Sequence, residues 1–315
     1  MRRDERYHLI TSLRCNNRCL FCMEGDHAGE DLERQRAAVR SDFLTPERLA
    51  RYLDHMKDKE IPVLFASGEP TLNPHLLELV AIVHSRGYRE VAVQTNGRML
   101  SYRSFLLGLV EKGVTGFHVS VHGSRREVHD DATRIAGSFV QTMAGIRNIL
   151  RLKEQRDLKL VVAATLTKMN IGDMGDMLRL LLGFRGIDTV VLNPLILDGK
   201  AVRNAELVLP AYSAVAAQFR RAVARLRSAK TAGLKKVTLI DMPPCLLRGL
   251  EEFGGPFESV LLVDHQSPGE RQGSKICFAG VKRAACRSCR RFASCTGIYP
   301  FYIRKFGWEE FVPLP

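Results

Sequence analysis

The chain alternates short apolar runs with amphipathic stretches. The runs "YHLITS" (7–12), "IPVLFAS" (61–67), "EVAVQT" (90–95), "GFHVSVH" (116–122), "KLVVAATL" (159–166) and "DTVVLNP" (188–194) are rich in β-branched residues and nearly continuously apolar. That pattern predicts strands buried on both faces. Between them lie segments of helical period. "TPERLARYLDHMKDK" opens with Thr45 as N-cap and Pro46 in the first helical position. "PHLLELVAIVHSRG" starts after Pro74 and stops at Gly87, and "SFVQTMAGIRNILRLKE" sets Phe139, Met143, Ile146 and Ile149 along one face. Six strand–helix units in series predict parallel strands with helical crossovers. An open doubly wound sheet, a full barrel and a partial barrel all share this pattern, and all place their chemistry at the C-terminal ends of the strands.

Beyond about residue 200 the alternation fades. A helix over "PAYSAVAAQFRRAVARLRSA" precedes a short strand, "KVTLI", and then an irregular tail rich in Gly, Pro and Cys. This divides the chain near residue 235, into 1–235 and 236–315.

Composition narrows the setting. The chain has 315 residues, 45% hydrophobic and 26% charged, which is ordinary for a globular protein. No apolar run approaches the roughly 18 residues of a membrane span. The opening "MRRDERYHL" is charged and lacks the apolar stretch of a signal peptide. A cytoplasmic, reducing setting follows, in which the eight cysteines are expected as metal ligands rather than disulfides. The net charge of +13 favours an anionic partner. Basic residues concentrate in "RLKEQRDLKL" and "VKRAACRSCRR", but no nucleic-acid motif accompanies them, so nucleic acid is set aside.

The densest chemistry follows the first strand, in "LRCNNRCLFCMEGDH". Cys15, Cys19 and Cys22 lie within eight positions, beginning three residues after the strand. A structural zinc site wants four closed ligands, with His27 as the candidate fourth, and only Cys19 and Cys22 have the usual zinc spacing. An iron–sulfur cluster fits better. Three thiolates on a four-iron cluster leave one iron open, and an open iron can take the amino and carboxylate groups of an amino acid.

The triplet Cys15-x3-Cys19-x2-Cys22, with Phe21 before its last cysteine, resembles the signature of the radical S-adenosylmethionine (radical SAM) superfamily. "SGEPTLNP" (67–74) resembles that family's Gly-Gly-Glu-Pro segment after strand two, with Ser67 in place of the first glycine. "QTNG" (94–97), "VSVHG" (119–123) and "HDDATRIAGSF" (129–139) resemble the ends of strands three and four and the arginine-bearing segment beyond. The family's glycine and glutamate pattern on strand five has no clear counterpart in "VVAATLTKMN". The resemblance covers about residues 7–200. It implies an α/β fold, a partial (β/α)6 TIM-like barrel.

The resemblance also implies roles. Cys15, Cys19 and Cys22 would hold the cluster, and its open iron would chelate the methionine part of S-adenosylmethionine. Phe21 would lie by the adenine. Gly68 and Glu69 would approach the methionine amino group, Glu69 by shaping that backbone or by direct contact. Ser120 would meet the ribose or the carboxylate, and Arg134 the carboxylate, for which a guanidinium offers a planar fork of donors. Each residue also has an ordinary reading: Phe21 as core packing, Glu69 as a capping carboxylate, Ser120 as a plain strand residue, Arg134 as a solvated charge. In this family the reduced cluster cleaves the cofactor to methionine and a 5′-deoxyadenosyl radical, which takes hydrogen from an unactivated carbon.

A second cysteine group, "ACRSCRRFASCTG", spaces Cys286, Cys289 and Cys295. Cys245 in "DMPPCLL" is the better fourth, because a turn after a strand exposes it, and Cys277 is the alternative. Four cysteines suit a zinc site. They also resemble the core of the C-terminal extension called SPASM, shortened here or Twitch-like, which implies one auxiliary four-iron cluster. That extension implies a peptide- or protein-modifying enzyme; a small metabolite such as a nucleoside or cofactor precursor is the other substrate class. A flavodoxin- or ferredoxin-like electron donor is implied in either case. With strand one starting near residue 7, a peptide substrate is expected to need a separate recognition protein.

Overall fold

The computed structural model describes residues 5–23, 43–255, 259–263 and 280–315. All six expected strands are present: β1 (Glu5–Ile10), β2 (Val63–Ala66), β3 (Val91–Thr95), β4 (Gly116–Ser120), β5 (Lys159–Leu166) and β6 (Thr189–Pro194). Between them run α1 (Pro46–Leu53), α2 (Leu76–Ser85), α3 (Arg103–Glu111), α4 (Arg126–Thr133), α5 (Ser138–Lys153) and α6 (Met174–Leu182). Thr45 does cap α1, its hydroxyl oxygen accepting from the Arg48 N–H at 3.4 Å with Pro46 at the first turn. The apolar face of α5 buries Met143, Ile146 and Ile149, while Phe139 packs at its edge.

After β6 come α7 (Lys200–Arg203), α8 (Ala205–Val208), α9 (Tyr212–Ser228), β7 (Val237–Ile240), β8 (Gly254–Gly255), β9 (Ser259–Val263) and α10 (Pro300–Phe306). The strand order is β8-β7-β6-β5-β4-β3-β2-β1-β9, parallel throughout. The sheet therefore runs on across residue 235: β7 is the short strand expected at "KVTLI", and β8 and β9 lie beyond the strands expected.

Chain length alone shows how strongly this sheet curves. Laid flat, the nine strands would hold β8 and β9 about 38 Å apart at roughly 4.8 Å per step. Yet Gly255 and Ser259 are only four residues apart, a reach of at most about 14 Å. The edges must come together, so the sheet is rolled into a barrel. A cross-sheet contact agrees: Arg6 Nη1 lies 3.2 Å from His118 Nε2, although β1 and β4 are three strands apart.

Side-chain alternation then sets inside from outside. Leu9, Val63, Phe65, Val91, Val93, Phe117, Val119, Leu160 and Val162 are fully buried in one core with the helices. The alternate positions, among them His8, Gln94, His118, Ser120 and Ala163, keep partial access to solvent. The helices cover the convex face, and the concave face turns toward the inside of the barrel.

The C-terminal segment hooks onto α9. Tyr302 is buried and stacks on Tyr212 with ring centroids 3.9 Å apart, and its hydroxyl oxygen accepts from the Tyr212 N–H at 2.6 Å. The Tyr302 hydroxyl also bonds the Glu310 carboxylate, which accepts from the Ser213 N–H at 2.7 Å. Glu310 thus places a negative group on the N-terminus of α9, where the helix dipole favours it. Among the described residues no helix is long and apolar enough to cross a membrane.

Gly145 in α5 backs the turn after β3 so closely that a Cβ there would lie 2.3 Å from the Gly97 carbonyl oxygen. In an open helix Gly→Ala would stabilise by about 1 kcal/mol. Gly145→Ala instead is expected to destabilise by about 1–3 kcal/mol, because a backbone oxygen cannot step aside as a side chain can. A fall in the urea midpoint with an unchanged slope is the outcome to look for; a rise would show that the contact is slack.

Candidate active site

The three clustered cysteines sit on the loop leaving β1, at the C-terminal edge of the sheet. Cys15 is exposed, and Cys19 and Cys22 are half-buried. The Cys22 N–H donates to the Cys19 carbonyl oxygen at 3.3 Å, closing the tight turn that carries Phe21. Two outside contacts fix the loop. The Arg18 N–H donates to the Thr133 carbonyl oxygen at 2.9 Å, at the end of α4. Asn204, between α7 and α8, donates from Nδ2 to the Leu20 carbonyl oxygen at 3.0 Å. Burial, and then the neighbouring Cys22 and Cys15 thiols, push the Cys19 thiol well above its usual range, while Lys200 acts in the opposite sense. The thiols are therefore close enough to resist joint ionisation, and a cationic centre between them would relieve that.

The strand-two turn lies directly against this loop. The Glu69 N–H donates to the Arg14 carbonyl oxygen at 2.8 Å. Gly68, at φ +56°, is pressed so close that a Cβ would stand 2.4 Å from that same oxygen. Ser67 takes φ +70° without being glycine, a conformation that costs an L-residue about 1–2 kcal/mol. Glu69 itself is fully buried. Its Oε1 accepts from the Thr71 N–H at 3.2 Å, the Thr71 hydroxyl at 2.5 Å and the Thr95 hydroxyl at 2.6 Å, and its Oε2 accepts from the Asn96 N–H at 2.6 Å. These bonds tie the turn after β2 to the turn after β3, and the bond from the Thr71 N–H also caps the short helical turn Pro70–Leu72. Burial raises its pKa, and the four donors oppose the shift.

Asn96 and Arg98 carry that order into the cysteine loop, and the sequence reading gave neither a role. Asn96 Nδ2 donates to Asn16 Oδ1 at 2.6 Å and approaches Cys15 Sγ at 3.9 Å, while the Asn17 N–H reaches the same sulfur at 3.4 Å. Arg98 donates from Nη1 to the Asn16 carbonyl oxygen at 2.6 Å and to Asn17 Oδ1 at 3.1 Å, and from Nε to Gln141 Oε1 at 2.7 Å. Both lie in or next to "QTNG", the available signal.

Phe21 is buried with its ring edge-on to His122, centroids 4.9 Å apart. His122 stacks on His129, whose Nδ1 accepts from the His122 N–H at 3.1 Å. These two buried imidazoles were also missed: each reads as an ordinary polar residue until the fold packs it. Ser120 ends β4 on the lumen face, half-exposed. Arg134 takes a left-handed turn at φ +58°, next to the Thr133 carbonyl that holds the cysteine loop. Its guanidinium is half-exposed and pairs with Asp131 at 2.7 Å.

In the C-terminal segment the structure brings Cys245, Cys286, Cys289 and Cys295 around one small open pocket. Lys282 and Arg291 share its lining with Phe292, Ile298 and Phe311. Burial, then Cys295 and more weakly Cys289 and Cys286, push the Cys245 thiol up to about 11. The Leu314 N–H reaches Cys289 Sγ at 3.4 Å, and the Gly297 N–H reaches Cys295 Sγ at 3.3 Å. Cys277 and His27 lie outside the described residues. Among those described, no three His, Cys, Asp or Glu converge on a single ion-sized point.

Comparison with known proteins gives consistent findings. A family model described as the Radical SAM superfamily matches residues 9–181. The chain is 29% identical over 162 residues to an Fe-coproporphyrin III synthase of Methanosarcina barkeri, covering 51% of this chain and 37% of that protein. It is 30% identical over 137 residues to a probable GTP 3′,8-cyclase of Saccharolobus islandicus, covering 43% and 40%. The match thus spans about two fifths of those relatives. In fold, anSMEcpe with bound AdoMet and Cp18Cys peptide aligns over 98% of this chain and 95% of that one, with a TM-score of 0.59 and 13% identity. HydG from Carboxydothermus hydrogenoformans aligns over 98% and 76%, with a TM-score of 0.57 and 16% identity.

Burial holds His122 at a pKa of about 3, with the His129 charge adding to the effect, and holds His129 at about 4. Between those values and the unfolded value of about 6.5, only the unfolded chain binds these protons. Stability is therefore complete above about pH 6.5 and falls as pH drops, by up to about 1.4 kcal/mol per pH unit for each imidazole. Denaturant titrations at pH 7, 6 and 5 should show that decline. His129→Gln should make it shallower by up to about 1.4 kcal/mol per pH unit, the share of one imidazole, and an unchanged slope would show that His129 is not held neutral.

Proposed function

The chain belongs to the radical SAM superfamily, and we propose that it uses S-adenosylmethionine and a four-iron cluster on Cys15, Cys19 and Cys22 to take hydrogen from a substrate held at the mouth of the barrel. The observation that carries this is the cysteine loop itself, with three thiols in one loop knitted to the Glu69 and Asn96 turns. Thiolates are the usual cluster ligands, so the donor set fits. When bound, the cluster and cofactor supply a 5′-deoxyadenosyl radical. The chain's own residues bind and orient. Asn96 and the Asn17 amide donate toward the Cys15 sulfur, the kind of contact that tunes cluster potential. Gly68 brings backbone against the loop where a side chain could not fit. Phe21 offers a ring to the adenine, and Ser120 a hydroxyl from the lumen face. Arg134 can exchange Asp131 for a cofactor carboxylate, since an exposed ion pair is worth only about 0.2–1 kcal/mol.

Cys245, Cys286, Cys289 and Cys295 are assigned to an auxiliary four-iron cluster in a short SPASM- or Twitch-like segment. Support comes from their shared cavity and from backbone N–H groups aimed at two of the sulfurs. Four protein ligands would leave no iron open, which suits electron transfer rather than substrate ligation. A peptide or protein side chain is the substrate that such a segment favours. The full-length alignment with a structure holding AdoMet and a peptide supports that reading. A small metabolite is the second reading, favoured by the polar lumen. A flavodoxin- or ferredoxin-like donor would supply the electron.

Anaerobic reconstitution is expected to load about eight irons per chain, and replacing Cys15, Cys19 and Cys22 with Ala to leave about four with no cofactor cleavage. Cys245→Ala should likewise lower the count toward about four. Stoichiometric zinc in place of the second four irons would overturn the auxiliary assignment.

For the substrate class, reduced enzyme is incubated with deuterated candidate peptides and metabolites. Deuterium appearing in 5′-deoxyadenosine identifies the donor carbon; cofactor cleavage that no candidate stimulates or labels would count against hydrogen abstraction from either class.

A further inference from the structure

The connection that follows β6 crosses to the cysteine loop, and none of the roles above uses the charge it carries. Leu195, Leu197 and Ala201 are buried and pin it to the barrel. Tyr299, from the C-terminal segment, donates its hydroxyl to the Leu197 carbonyl oxygen at 3.3 Å. Asp198 Oδ1 accepts from the Gly199 N–H at 2.7 Å, and Gly199 turns the chain at φ +55° into α7. Lys200 is the first residue of that helix and is half-buried.

Asn204 fixes where Lys200 stands. Its backbone N–H donates to the Lys200 carbonyl oxygen at 3.1 Å. Its Nδ2 donates to that same oxygen at 3.0 Å and to the Leu20 carbonyl oxygen at 3.0 Å. Two acceptors on one nitrogen lie within about 6 Å of each other. The Lys200 backbone is thus held against the residue that follows Cys19, and a four-carbon stem is long enough to carry its ammonium to that sulfur. The Cys19 thiol responds: among the described cations, Lys200 is the one whose charge opposes the upward shift of that thiol. Arg98 also reaches the loop, but its guanidinium is spent on the Asn16 carbonyl, Asn17 and Gln141.

A cluster on three thiolates gains one negative charge when it takes an electron. A nearby cation stabilises that reduced form more than the oxidised form, so the potential rises with it. The direction depends on Lys200 alone. A carboxylate set against its ammonium would weaken the effect without reversing it, because removing the lysine still subtracts one positive charge.

We propose that Lys200, held against the cysteine loop by Asn204, raises the reduction potential of the cluster assigned to Cys15, Cys19 and Cys22 and so eases its reduction by the electron donor. One electron passes from donor to cluster, and no proton or bond is exchanged at Lys200. This rests on the reading above that the three cysteines hold that cluster. It deepens that reading by naming a residue that sets how readily the site is reduced.

The test is a redox titration. Full-length protein is reconstituted anaerobically and poised with dithionite and mediators, without S-adenosylmethionine. The reduced cluster is followed by electron paramagnetic resonance, its signal being the one lost when Cys15, Cys19 and Cys22 are replaced with Ala. At fixed solution potential Lys200→Met should lower the ratio of reduced to oxidised cluster by about three- to thirtyfold, roughly 30–90 mV for one electron. Lys200→Arg keeps the charge and should stay within about twofold of the wild type. Lys159→Met removes the same charge at the N-terminal end of β5, the far end of the barrel, and should leave the ratio unchanged.

An unchanged ratio in Lys200→Met, or an equal fall in Lys159→Met, overturns the proposal. Should Lys200→Met fail to load its iron, Lys200→Gln is read in the same way. Reductive cleavage of S-adenosylmethionine by the wild-type enzyme is measured in parallel. Cleavage with an unmoved potential sinks only this proposal, a moved potential without cleavage sinks only the radical reading, and a triplet that binds no cluster sinks both.

Discussion

The site depends on one buried carboxylate. Glu69 is fully enclosed, where a lone charge would be costly, and it holds that position by accepting four hydrogen bonds. Two of the donors are backbone N–H groups, and they belong to different strand ends. The carboxylate thus fastens the turn after β2 to the turn after β3. Everything near the cysteines inherits that alignment. Gly68 can press on the Arg14 carbonyl because Glu69 is fixed beside it, and Asn96 can reach Asn16 and Cys15 because its own N–H is held. Charge-assisted bonds of this kind are short and directional, which suits the support of a loop that must hold three thiols in one arrangement.

Parts of this arrangement are legible in the chain and parts are not, for a physical reason. The cysteine triplet, Gly68 and Glu69 could be read because each demand falls on contiguous residues: spacing for one cluster, a close turn, a carboxylate inside it. The six strands were legible because burial on both faces leaves nearly unbroken apolar runs. Asn96 and Arg98 were quoted or passed over without roles, because their partners in the cysteine loop lie 80 or more positions earlier in the chain. His122 and His129 gain meaning only from the rings packed on them. The same holds for Arg6 and His118, which meet only because the sheet rolls. β8, two residues long, is too short to leave any period, and β9 pairs with the far end of the chain.

The two faces of the sheet divide the labour. The convex side, packed with Val, Leu and Phe against helices, is where burial of apolar area stabilises the fold. The concave side gives up that stabilisation to keep polar groups accessible. Among the described residues His8 Nε2 finds no hydrogen-bond partner there, and such an orphan costs about 1–3 kcal/mol.

The pairing of β9 with β1 also has a history in time. Glu5 is level with Ser259, so β1 waits for a strand made about 250 residues later to complete its ladder. At roughly 5–20 residues per second, that wait is on the order of 10–50 seconds. Through it β1 carries an unfilled row of N–H and C=O groups, the kind of edge on which chains join one another. Contacts between sequence-distant residues are also the slowest to form. The nascent chain thus carries its cysteine loop beside an open strand edge until translation has passed β9, and its vulnerability to misassembly is set by synthesis rate as well as by the finished fold.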